Sequence, residues 1–246
     1  MLGELVCGKP QNSCIANSTL DHLKASIDRF SKRSISFLND AFSEEAQNFG
    51  AFCARVVLEN SCAALVGRLD PFRLIYLAEF QAQQGFEYGR PSNSGFRWTG
   101  DVLPDDKAPQ DLWSADHHAS KVSRALFSQY SAHVYWKPAV ERALDFIASD
   151  SSAELSELKN IDPERFLNTT KGRCATLYST LSKGVHWDFF TSSVIIDEGT
   201  IKDSIRESIL VLSAISFISH FIPTSYRALD CNSAVVSYKT LRSSFQ

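Results

Sequence analysis

Apolar residues recur along this chain at intervals of three and four, and no stretch alternates strictly between apolar and polar positions bounded by hairpin turns. A period near 3.6 lets a helix bury one stripe, whereas a half-buried strand needs a period of two. The pattern therefore predicts an all-α fold, a multi-helix bundle forming one domain over residues 1–246. With 44% hydrophobic and 22% charged residues among 246, the chain can bury a sizeable core, and disordered or rod-like classes are excluded. A formal net charge of −3 supplies no global field for nucleic acid or for an anionic membrane.

Start and stop signals divide the pattern. A first helix is expected over residues 18–39 behind Ser18 and Thr19, and a second from about Ser43 to Leu69. Asp70-Pro71 and Asp162-Pro163 each read as a cap followed by proline at the first helical position, opening helices to about Gln84 and Gly184. Further helices are expected over Asp111–Ser131 and Lys137–Ser149, where Pro138 suits a first turn. Ser151–Asn160 reads as a polar connector. Thr200 to Asp203 resembles a capping box for a helix ending before Pro223, and a last helix is expected over Ser225–Leu241. The apolar run Ile209–Ile222 is too short for a bilayer and reads as a core helix.

Residues 85–110, GFEYGRPSNSGFRWTGDVLPDDKAPQ, break every helical pattern and form the one long loop. A loop of that length is usually a functional element. Tyr88, Arg90, Phe96, Arg97 and Trp98 are residue types enriched at binding hot spots, so the segment is expected to face a protein partner, packing on its own domain being the other reading.

The six cysteines form no CxxC pair and read as small core hydrophobes. Asp116-His117-His118 offers metal-ligating atoms, but adjacent helical side chains diverge by about 100° and no second ligand cluster accompanies them, so no metal is expected. Walker, GxGxxG and GxSxG motifs are absent from the sequence, and no cofactor is expected. The N-terminus has no basic segment followed by an apolar run, which predicts a cytoplasmic protein without a membrane association.

One polar constellation stands out. Tyr178, Ser182 and His186 lie at i, i+4 and i+8 beside the apolar stripe Leu177, Leu181 and Val185, with Asp188 just beyond. In the second helix Phe52, Val56, Ala63 and Val66 are expected to share the core face, with Glu59 among them and Arg55 as its nearest cation. A buried, unpaired carboxylate would cost several kcal/mol, so Arg55 and Glu59 should be a structural pair, unless Glu59 sits at the edge of the face or the two meet the His186 region across a helix interface.

RVVLENSCAALVGRLDPFRL followed downstream by LYSTLSKGVHWDFF resembles the HEPN-like helical proteins of bacterial conflict and antiphage systems. In those proteins an Arg/Glu-bearing helix packs on a helix ending in a Leu-Ser-x-x-Val-His signature. The resemblance implies an all-α bundle, dimerisation or docking into a larger complex and, in active members, metal-independent RNA cleavage. Active members carry an arginine with about four to six residues between it and the histidine, at the positions where this chain has Ser179, Thr180 and Leu181. Arg173 lies thirteen positions before His186, about 20 Å along a helix and on roughly the opposite face. The expectation is thus a non-catalytic or conditionally active subunit of a bacterial defence or toxin-type complex, acting by protein contacts. An RNase using His186 with an arginine from elsewhere is the alternative, and a structural adaptor is a third reading.

Overall fold

The computed structural model describes residues 1–10, 15–39, 43–87, 95–105, 122–186 and 197–244. Eight principal helices follow in order: α1 Leu2–Cys7, α2 Ile15–Asn39, α3 Glu44–Leu69, α4 Pro71–Gln81, α5 Lys137–Ile147, α6 Pro163–His186, α7 Glu198–Ser219 and α8 Cys231–Ser243. Among the described residues no strand forms, and the fold is an all-helical bundle.

The bundle is organised around α3, which packs on α2, α6 and α7. Ser43 starts it, its hydroxyl accepting the Ala46 N–H at 3.2 Å. Small residues allow the close approach of three neighbours: Ala51, Ala54, Ser61, Cys62 and Ala64 are all buried. A helix buried on so many sides carries little periodicity, and the expected core face is displaced. Phe52 is exposed and Val56 only half-buried, while Ala63 and Val66 are buried as expected and Cys53, Val57, Leu58, Cys62 and Leu65 join them in the core. By composition α3 would pass for a membrane span, but two-thirds of its most apolar window is buried within the bundle.

Several boundaries differ from expectation. Residues 122–128 are non-helical, and helix begins at Gln129–Ser131, passes through a π-helical turn at Ala132–Trp136 and continues into α5 without a break. Pro138 therefore lies inside a continuous helix. Proline lacks an N–H and its ring crowds the preceding turn, and the wider π turn just before it accommodates both. The connector 151–160 holds a 3₁₀ turn, Ala153–Leu155, and a short helix, Ser156–Lys159, that bury Leu155 and Leu158. Asp197 rather than Thr200 caps α7, accepting the Thr200 N–H at 2.9 Å. Asp230 caps α8 at Ser233, leaving 223–230 irregular.

One end of the bundle closes over a buried cation. Arg68, in the last turn of α3, is wholly buried. It donates to the carbonyls of Val6 (3.1 Å) and Tyr226 (3.0 Å), to the Ser219 hydroxyl (2.6 Å) and to His220 Nδ1 (3.0 Å). None of these partners is a carboxylate. The C-terminal ends of α1, α3 and α7 converge here, and the guanidinium is held by two backbone carbonyls, a hydroxyl and an imidazole nitrogen in place of a counter-ion. Burial lowers the Arg68 pKa to about 10, which leaves it charged at neutral pH. His220 Nε2 donates to the Leu5 carbonyl at 2.8 Å, so Nδ1 is the acceptor that receives Arg68 and the Leu229 N–H (3.0 Å). Arg227 beside it reaches the Gly8 and Asn17 carbonyls and Asp21. Gly8, at φ +67°, is required at the α1 exit: a Cβ there would meet the Arg227 carbonyl oxygen at 1.8 Å.

Candidate functional site

α3 and α6 run antiparallel, with Cys62 against Cys174 and, two turns back along α3 and one turn on along α6, Arg55 reaching Tyr178. The neighbouring Cys174 thiol and burial raise the Cys62 pKa, and burial pushes Cys7 up to about 12, so neither thiol ionises near neutrality.

Arg55 Nε donates to Glu59 Oε1 at 3.0 Å and its Nη2 to the Tyr178 hydroxyl at 3.1 Å. The guanidinium carbon also lies 4.8 Å from the Tyr178 ring centre. Trp98 stacks on the same tyrosine, centroids 4.3 Å apart and planes within 8°. The structure thus gathers four residues singled out from sequence, Arg55, Glu59, Tyr178 and Trp98, from three separate segments. Glu59, however, is not an apolar-face residue. Its side chain is 36% exposed while that of Arg55 is 14% exposed, which makes the pair a rim contact.

Ser182 donates to the Tyr178 carbonyl at 2.6 Å, so its only proton is used on its own helix. His186 is the last residue of α6, and eight residues past Tyr178 it lies about 12 Å further along the axis. Arg55 is held at the Tyr178 level. The His186 side chain and Asp188 lie outside the described residues, as do Tyr88, Arg90 and Asp116 to His118. Among the described residues no three His, Cys, Asp or Glu side chains converge to hold a metal.

In the part of the 85–110 segment that is described, residues 95–105 follow the second reading, packing on their own domain. Residues 95–105 are docked on the body. Asp101 accepts both Arg73 Nε (2.9 Å) and Nη2 (3.0 Å), as well as the Arg97 N–H (2.9 Å). The carbonyls of Asp101 and Val102 receive the N–H groups of Leu126 and Phe127. Val102 is wholly buried, and Phe96 and Trp98 pack against the core, while Arg97 is exposed. These aromatics find enough apolar surface on α3 and α6 to be covered by their own chain.

Sequence reasoning passed over a different surface. Phe72, Tyr76 and Phe80 follow one another at i, i+4 and i+8 along α4, with centroid spacings of 6.5 and 6.1 Å. They are 70%, 41% and 42% exposed. The opposite side of α4 seats Leu74 and Leu77 in the core, Leu74 filling the notch left by Gly67. The signal was present in FRLIYLAEF, where aromatic residues at helical spacing form a second stripe beside the leucines.

No protein-family model matches the chain, and comparisons with curated proteins and with solved structures find no match.

Proposed function

We propose that this chain is a non-catalytic helical subunit that works by assembly, with the exposed ring ladder of α4 as its contact face and a second copy as its first partner. The ladder carries the reading. Three large aromatic side chains left in water on one helix face are the residue type that anchors interfaces, and a soluble chain has little other reason to retain them there. The rings are evenly spaced about Tyr76, so a two-fold axis through that residue lays Phe72 of one copy against Phe80 of the other. Arg55, Tyr178 and Ser182, by contrast, have their polar groups engaged within the fold. The HEPN-like resemblance supports placing the assembly in a bacterial defence or toxin-type system.

Light scattering coupled to size exclusion tests this. The wild-type chain is expected to pass from monomer to dimer across the micromolar range, and Phe72→Asp or Phe80→Asp to remain monomeric with an unchanged helical spectrum. A wild-type chain that stays monomeric throughout refutes the proposal.

A further inference from the structure

A cleft of about 380 Å³ opens between α6, α7, α8 and the 157–162 turn. It lies on other elements than the α4 ladder. Arg165, Thr169 and Arg173 follow at i, i+4 and i+8 on α6, so that two guanidinium groups and a hydroxyl line one wall. Arg242 enters from α8. The half-buried Ile161, Leu210 and Ala214 give the cleft an apolar part, while Phe166 and Tyr238 are almost wholly buried.

Two acids, Glu157 and Asp162, also line the cleft, against three guanidinium groups. Arg242 is only 10% exposed, yet its carboxylate partner Glu157 stands 71% in solvent at the rim. Arg173 pairs with the half-exposed Glu207. Asp162 spends its carboxylate on the N-terminus of α6, accepting the N–H groups of Glu164 (2.8 Å) and Arg165 (3.3 Å). The exposed side chain of Arg165 has no acidic partner among the described residues. Ion pairs whose acid lies in water contribute little, so an entering anion can take over Arg242 from Glu157 at small cost. Planar guanidinium donors on two walls fit the several acceptor oxygens of a phosphate better than a single carboxylate.

We propose that this cleft binds a phosphate monoester carrying a flat apolar body, of about the size of a nucleoside monophosphate. The phosphate sits among Arg165, Arg173 and Arg242, and the body lies along Ile161, Leu210 and Ala214. The volume is within the range that encloses ligands of that size.

Titration calorimetry on the full chain tests it, with adenosine 5′-monophosphate and phenyl phosphate as probes and adenosine and inorganic phosphate as controls. At least one phosphate ester should bind more tightly than either control. Arg165→Ala, at an exposed position with no acidic partner among the described residues, should weaken it tenfold or more without loss of helicity, and Glu157→Gln should tighten it several-fold. The proposal is overturned if neither ester binds at millimolar concentration or if Arg165→Ala leaves binding unchanged. Adenosine or inorganic phosphate binding as tightly as the esters would overturn it as well.

Discussion

Truncating Arg68 to alanine should be among the most damaging single substitutions in this chain. The side chain serves four acceptors, and their fates differ once it is gone. His220 Nδ1 keeps the Leu229 N–H at 3.0 Å, and the Ser219 hydroxyl keeps its own donation to the Ser216 carbonyl at 2.6 Å. The carbonyls of Val6 and Tyr226 lose the donor that Arg68 supplied. A buried polar group left unsatisfied costs about 1 to 3 kcal/mol, so the two together cost about 2 to 6 kcal/mol. Relief from holding a charge out of water offsets part of this, and loss of the packed stem adds to it, for a net loss of about 4 kcal/mol. Urea unfolding followed by far-UV circular dichroism at pH 7 measures the loss. Arg206→Ala, on an exposed side chain, is the control and should stay within about 0.5 kcal/mol of wild type. Hydrogen exchange gives a second readout, because α1 is tied down through Val6 and Leu5 and its amides should lose protection first. A loss below about 1 kcal/mol with α1 protection unchanged would refute the reasoning, because the converging helix ends would then not need the cation.

Three further outcomes follow from the same geometry. Burial first, and Arg68 second, hold the pKa of His220 well below its ordinary 6.5, so the folded chain keeps it neutral where the unfolded chain takes up a proton. Stability from this source is complete above about pH 6.5 and is lost as pH falls below it, by up to about 1.4 kcal/mol per pH unit, and His220→Gln should flatten that slope in denaturant titrations between pH 5 and 7. Glu59→Ala should cost less than about 1 kcal/mol in chemical denaturation, since the carboxylate is a rim group and Arg55 retains Tyr178; a loss of 3 kcal/mol would mean the pair is buried. Gly8→Ala should cost about 2 kcal/mol or more in the same assay, because the added Cβ meets a backbone carbonyl that cannot step aside, and a neutral substitution would place the α1 exit differently.

Local signals reported local structure well. Ser43 and Asp162 cap helices in the manner their side chains suggest, and Pro71 takes a first helical position. The all-helical architecture was likewise legible from period alone. What failed depended on neighbours distant in sequence. LGELVC spans less than two turns and carries no helix signal of its own, yet it folds as α1 because Arg68 and His220 supply donors from residues more than sixty positions away. Arg68 itself reads as an ordinary last-turn cation, since nothing local announces that three helix ends meet around it. The face of α3 was misplaced because a helix packed on three sides loses its amphipathic contrast, and that error carried Glu59 into the core. Trp98 illustrates the same limit at the candidate site: glycine and proline mark where regular structure stops, but whether the intervening aromatics are covered depends on Tyr178, eighty residues on.

The closure around Arg68 also sets an order of events during synthesis. Its parts come from residues 5–8, 68 and 219–229, so α1 docks against a segment made about two hundred residues after it. At about 5 to 20 residues per second, roughly ten to forty-five seconds separate the emergence of Gly8 from that of Leu229. Throughout that interval Leu2, Leu5 and Val6 have no finished surface to bury against, and α2 and α3 can pair without them. The nascent chain therefore displays a short apolar handle until the segment through Leu229 has emerged and folded over it.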